Sequence, residues 1–223
     1  MKRTGRMATE SLRFGVEGVG AVHGRWVDGP DGVFVFAHGA GAGMDHPFME
    51  GVAARLGRSG IATLRWDFPY IRAGRPLPPA VRTLLPVARA AVDVARERAA
   101  GRPLWAGGKS MGGRVVSMAE AEEPLGADGL IFVGFPLHPR GRPSTERARH
   151  LRETAPPLRF VSGTRDRLAD AALLDGVVAD LGARAELHAV AGADHGFHVL
   201  VRSGRTDAQV LDEVAETIVG WIS

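Results

Sequence analysis

A chain of 223 residues, 45% of them hydrophobic, is long enough to bury a sizeable core in one domain, and its formal net charge is only +3. It contains no cysteine, which excludes disulfides, thiolate metal sites and a cysteine nucleophile. The isoelectric point near 10.1 reflects arginine, not a large charge excess, because all but two of the 28 basic residues are arginine.

Those arginines are scattered among acids, with the densest run over residues 140–152 and no interleaved aromatics, so they read as a solvated face and no nucleic-acid partner is expected. The N-terminal nine residues are basic but lead into no apolar segment, so no signal peptide is expected. No run approaches the length of a membrane span, and a cytoplasmic location without a membrane partner is the simplest expectation. Met7 is an alternative start, and residues 1–10 are expected to be a flexible leader to one domain spanning 1–223.

Residues 12–17 and 21–28 read as two strands, the second alternating apolar and polar. Residues 33–37 (Val-Phe-Val-Phe-Ala) are continuously apolar, as in a strand buried on both faces. A loop over 38–45 leads to a helix over 47–58, closed by Ser59-Gly60, and then to a buried strand over 61–66. The proline-rich stretch 69–79 reads as a loop before an amphipathic helix over 80–99. A strand over 104–107, a helix opening at Ser110, and a strand over 129–134 follow. Last come strands at 158–162 and 185–190, with helices near 169–181 and 207–222. After the two N-terminal strands, strand and helix alternate throughout. That predicts an α/β architecture with a mostly parallel central sheet of about eight strands, covered by helices on both faces.

Gly107-Gly-Lys-Ser-Met-Gly-Gly113 lies between a strand and a helix, and its Ser110 has glycine at minus two and plus two. This is the pattern of a nucleophile elbow, in which a sharp turn projects the hydroxyl at the sheet edge and small neighbours avoid collision. In so glycine-rich a chain, roughly 0.15 chance matches to the pattern are expected. The strand before and the helix after therefore carry more weight than the motif alone. A phosphate-loop reading fails, because the upstream glycine that Lys109-Ser110 would require is Pro103. No dinucleotide fingerprint opens the first helix after a strand.

Serine needs a base, and the base an acid to orient it. Such groups sit on loops at the carboxyl ends of parallel strands. His195, in Gly192-Ala-Asp-His-Gly-Phe197, follows the last strand between small residues, whereas the other histidines lie within strands or on earlier connections or, as His198, three residues further on. Asp166 follows the strand at 158–162. Its rivals are Asp170, in the next helix, and Asp194, whose adjacency to His195 hinders facing it. The order Ser110, Asp166, His195 is that of the α/β-hydrolases. Two backbone N–H donors should face the developing oxyanion: that of Met111 and that of Ala40, with Gly41 in reserve, from the small-residue loop His38-Gly-Ala-Gly-Ala-Gly43. His38 reads as a loop-shaping side chain.

The segments HGAGAGMDHPFM (38–49), RWDFPY (65–70), GGKSMGGR (107–114) and GFPLHP (134–139) resemble the α/β-hydrolase superfamily, and the resemblance spans nearly the whole chain. More narrowly they look like a small-hydrolase branch that includes testis-expressed hydrolase-like proteins and relatives of dienelactone hydrolase. The resemblance implies a serine hydrolase using Ser110, Asp166 and His195, and it implies no particular substrate. Dienelactone hydrolase proper uses a cysteine nucleophile, so its substrate is not carried over.

The connection over 134–157 is too short for a large cap, which predicts a shallow, open cleft for a small-molecule acyl substrate. Gly41, Phe68, Tyr70 and Phe135 are the candidate lining residues; Trp66 and these three aromatics follow strand ends and could equally pack under loops. Asp45 and His46 lack a third ligand at suitable spacing, so no metal is expected, and the implied chemistry requires no cofactor. The oligomeric state is left open. A carboxylesterase-like enzyme is the leading expectation, and a non-catalytic hydrolase-like interaction module is the alternative.

Overall fold

The structure, a computed structural model, describes residues 8–223. In chain order it contains β1 (Thr9–Val16), β2 (Gly20–Val27), β3 (Gly32–Ala37), α1 (Pro47–Arg58), β4 (Ile61–Trp66), α2 (Pro69–Arg72), α3 (Leu85–Ala99) and β5 (Leu104–Lys109). There follow α4 (Met111–Glu122), β6 (Gly129–Val133), β7 (Leu158–Gly163), α5 (Ala171–Leu181), β8 (Ala185–Val190) and α6 (Asp207–Ile222). The strands form one sheet in the order β1-β2-β4-β3-β5-β6-β7-β8. β1–β2 and β2–β4 pair antiparallel, and every other pair is parallel.

Alternation along the buried strands sorts side chains between two cores. Val33, Val35 and Ala37 of β3 face the layer that contains Val87, Ala91 and Val92 of α3 and Val115, Val116 and Ala119 of α4. Phe34 and Phe36 face the opposite layer, with Met49, Val52 and Leu56 of α1 and Val210, Val214 and Ile218 of α6. All six residues of β3 and of β4 are buried; β3 is unbroken apolar or small, while β4 carries one buried charge, Arg65, which donates to the Met44 carbonyl.

Differences from the expected elements have local causes. The helix expected from residue 80 begins as a 3-10 turn, Val81–Leu84, and becomes α-helical at Leu85. Pro86 lacks the N–H that a continuous helix would need there, so the α-helix starts beside it. The strand expected to reach Gly134 stops at Val133, because Gly134 turns out of the sheet with φ of 68°. α5 starts at Ala171 because Asp170 caps it, accepting from the Leu173 N–H at 3.1 Å. The proline-rich loop contains the single turn of α2. Thr9 and Glu10, expected within a flexible leader, pair with Val27 and Trp26; residues 1–7 of that leader, including Met7, lie outside the described residues.

From residue 134 to 157 the chain makes a loop and one 3-10 segment, Glu146–Glu153, so no large cap covers the carboxyl edge of the sheet. Among the described residues no helix is long and apolar enough to cross a membrane.

Candidate active site

Ser110 occupies the turn between β5 and α4 with φ of 51° and ψ of −118°, a strained conformation for a residue bearing a side chain. Two contacts force the turn to be glycine-flanked. A β-carbon at Gly108 would stand 2.6 Å from the Ala37 carbonyl oxygen, and one at Gly112 would stand 2.5 Å from the same atom. The Ser110 N–H donates to the Val133 carbonyl at 3.0 Å, pinning the turn to β6. The hydroxyl thus sits beside the N-terminus of α4, where the helix dipole favours negative charge.

The carboxyl ends of β7 and β8 bring two partners to it. His195 Nε2 lies 2.8 Å from Ser110 Oγ, and His195 Nδ1 lies 2.7 Å from Asp166 Oδ2. A carboxylate only accepts, so Nδ1 carries the proton and Nε2 is left to accept from the serine hydroxyl. The Asp166 side chain is wholly buried, and its second oxygen accepts from the Leu168 N–H at 2.8 Å. Its two sequence rivals are occupied elsewhere. Asp170 caps α5, while Asp194 accepts from the N–H groups of Gly196 at 2.9 Å and His198 at 3.0 Å within its own loop.

The loop after β3 packs directly on the serine: a β-carbon at Gly39 would be 3.4 Å from that of Ser110. His38 shapes this loop. Its Nδ1–H donates to the Gly39 carbonyl at 2.7 Å, and its Nε2 accepts from the Phe68 N–H at 3.1 Å. Burial lowers its pKa, which keeps the ring neutral as that pattern demands. His138 repeats the arrangement one loop away, with Nδ1–H donating to Pro139 at 3.0 Å and Nε2 accepting from the Asp170 N–H at 3.1 Å. Among the described residues the N–H groups of Ala40 and Met111 have no protein acceptor, whereas that of Gly41 donates to the Tyr70 hydroxyl at 3.3 Å.

A cleft of about 220 Å³ opens at this point, lined by Ala40 and Ala42 of the loop, Phe48 and Met49 of α1, and Lys109, Ser110 and His195 among others. The expected aromatic lining is corrected here. Phe68 and Phe135 are fully buried: Phe68 packs edge-on to His38 and Trp66, and Phe135 packs against Phe132 and Phe160. Tyr70 is buried as well, and its hydroxyl accepts from the N–H of Gly41, an exposed residue between the lining residues Ala40 and Ala42. The apolar wall comes instead from the first turn of α1, whose start is fixed by His46 accepting from the Phe48 N–H at 3.2 Å. Nothing in the spacing around a helix start announces that role. Asp45, the other imagined ligand, pairs with Arg25 at 3.1 Å. A larger groove of about 390 Å³ lies between the 3-10 segment and α5, away from Ser110, and carries no histidine.

Lys109 was missed as more than a motif position. Its half-buried side chain donates to the His195 main-chain carbonyl at 2.7 Å, and its Nζ stands 5.7 Å from the ring centre of Phe48 and 5.3 Å from that of Phe197. Desolvation pushes its pKa down to about 8, against the fields of Asp166 and Asp194, which raise it. The available signal was that Lys109 is one of only two lysines in an arginine-rich chain.

A strand-to-helix serine elbow at the carboxyl edge of an eight-stranded, mostly parallel sheet defines the α/β-hydrolase class. Residues 30–223 match the family of alpha/beta hydrolase domains, and the chain belongs to that family. Solved structures share the fold at low identity. A dienelactone hydrolase from Anabaena variabilis is 22% identical with a TM-score of 0.78, covering 97% of both chains. A lidless α/β serine hydrolase from Xanthomonas campestris is 20% identical with a TM-score of 0.72, covering 98% of both. An esterase domain from a Rhodothermus marinus protein is 15% identical with a TM-score of 0.70, covering 96% of this chain and 98% of that one.

Proposed function

We propose that the protein is a serine hydrolase that cleaves a carboxylic ester through an acyl-enzyme on Ser110. The observation that carries this reading is the hydrogen-bonded series Ser110 Oγ, His195 and Asp166, at 2.8 and 2.7 Å. His195 Nε2 takes the hydroxyl proton as Ser110 Oγ bonds to the ester carbonyl carbon. Asp166, buried and acceptor-only, holds the reactive tautomer and stabilises the imidazolium. The N–H groups of Ala40 and Met111 receive the oxyanion. Collapse expels the alcohol, which leaves with the proton from His195. Water then attacks the acyl-enzyme by the same route and releases the acid. A cleft of about 220 Å³ walled by Phe48 and Met49 suits small or extended acyl groups.

Labelling with a fluorophosphonate probe tests the reading. The wild-type protein is expected to be labelled and its Ser110→Ala variant not, with hydrolysis of short-chain p-nitrophenyl esters lost in parallel. Folded wild-type protein that takes no label on Ser110 would overturn the enzyme reading in favour of a hydrolase-like interaction module. A screen of ester, thioester and amide substrates then identifies the bond.

A further inference from the structure

We propose that Lys109 is a positioning residue whose ammonium, by donating to the main-chain carbonyl of His195, holds the imidazole in line with Ser110. The proposal rests on the serine-hydrolase reading of this site. Lys109 is the last residue of β5, paired with Val133, so its backbone is as fixed as the sheet itself. Its side chain reaches from the residue before the nucleophile to the loop that carries the base. Among the described residues, its bond to His195 is the only hydrogen bond joining the elbow to the main chain of that loop.

The rest of the loop is held by bonds of other kinds. Asp194 N–H donates to the His198 carbonyl at 3.0 Å, and Phe197 N–H donates to the Asp194 carbonyl at 2.9 Å. With the Asp194 carboxylate bonds, these shape the loop without aiming it at Ser110. Phe197 itself is buried with φ of 65°, unusual for a residue with a side chain. Its ring packs 5.3 Å from that of Phe48 and also faces Nζ, so one ammonium touches the strained loop through both a carbonyl and a ring. A β-carbon at Gly134 would lie 3.2 Å from Nζ and 3.6 Å from Cε1 of His195, which places ammonium and imidazole around the same spot.

Nothing about this arrangement serves ordinary surface charge. Among the described residues Lys109 has no carboxylate partner. The nearby Asp166 is committed to His195 and Leu168, and Asp194 to Gly196 and His198. A desolvated cation with one carbonyl and two ring faces for company is a costly way to fill space. It is a good way to fix a carbonyl, since charge-assisted bonds are shorter and stronger than neutral ones.

The test compares Lys109→Met, which keeps length and loses both charge and donor, with Lys109→Arg, which keeps both. Fold is checked by denaturant unfolding. On a short p-nitrophenyl ester, Lys109→Met is expected to lower kcat by about 10- to 100-fold while KM moves less than about twofold, as for a displaced base. Lys109→Arg is expected to recover most of that loss. Methionine and arginine variants with equal kcat, or a folded methionine variant with wild-type kcat, would overturn the proposal. Should the methionine variant not fold, Lys109→Gln, too short to reach His195, takes its place. A second readout does not depend on turnover: the deshielded NMR signal expected of the wild-type His195 Nδ1 proton, bonded to Asp166 at 2.7 Å, should broaden or vanish in Lys109→Met. If the wild type neither turns over ester nor takes label, the hydrolase reading fails, and persistence or loss of that proton signal still decides the positioning role.

Discussion

Gly163 and Ala193 meet so closely that a β-carbon on the glycine would stand 2.3 Å from the alanine carbonyl oxygen. This contact joins the end of β7 to the loop beyond β8. The Arg165 N–H donates to the same carbonyl at 2.9 Å, and one residue later the chain presents Asp166 to His195. Any side chain at 163 must push the two loops apart. Gly163→Ala is therefore expected to destabilise the fold by about 2 kcal/mol or more and to slow fluorophosphonate labelling by at least about tenfold. Unfolding in urea and labelling rates on the folded fraction measure the two effects separately; a variant unchanged in both would show that the contact does not set the spacing.

Asp166→Asn keeps the shape of the buried side chain but offers His195 Nδ1 an amide that can also donate. The ring then has no fixed reason to leave Nε2 unprotonated toward Ser110. A fall in kcat of about 10³- to 10⁴-fold with little change in KM is expected. Steady-state kinetics on a short ester decide it, and a loss smaller than about tenfold would assign the orientation of His195 to other groups.

Tyr70→Phe removes the acceptor that holds the Gly41 N–H and leaves the ring in place. The loop behind Ala40 loses one hydrogen bond, with an expected stability loss of about 1 kcal/mol. Because Ala40 is the proposed oxyanion donor, kcat should fall several-fold while KM changes little. Burial raises the pKa of this tyrosine, so the acceptor stays a neutral phenol through neutral and mildly alkaline solution. A change in KM alone would assign Tyr70 to substrate binding.

Lys109 carries a pH signature of its own. In the fold it releases its proton at about 8, against 10.5 for an ordinary lysine. Between those values the unfolded chain binds more protons than the native one, so this residue makes stability rise with pH across that window. Below pH 8 both states are protonated, and the native state bears the full cost of the desolvated ammonium. Lys109→Met should accordingly be more stable than the wild type at pH 7, by about 2 kcal/mol once partial exposure is allowed for. The difference should shrink by pH 10.5. Paired urea titrations at the two pH values check this. A methionine variant that is less stable at pH 7 would mean that the lysine is retained for the fold.

Much of the architecture was legible because its signals are local. An unbroken apolar run marked β3, a mostly apolar one marked β4, and Pro47 together with Ser59-Gly60 marked both ends of α1. The elbow was legible because the steric demand of the Gly108 and Gly112 contacts leaves glycine as its trace. The lining of the cleft was not. Phe68 and Phe135 sit just past strand ends, as lining residues often do, but the direction of a side chain after a strand is set by what packs over it. Here His38 and the Phe132–Phe160 cluster draw both rings inward. Lys109 was hidden for the same reason, since only the fold brings the His195 carbonyl within its reach.

The strand order has one further consequence. β6 and β7 stand between β5, which leads into the proposed nucleophile Ser110, and β8, which feeds the loop of the proposed base His195; β8 is bonded on one side only. An outermost strand with a single neighbour is where local opening costs least. The proposed base thus hangs from an edge strand of the sheet, while the proposed nucleophile follows an interior one. Ester hydrolysis should fade at a lower denaturant concentration than the loss of secondary structure seen by circular dichroism, and coincident transitions would show that β8 opens only with the whole.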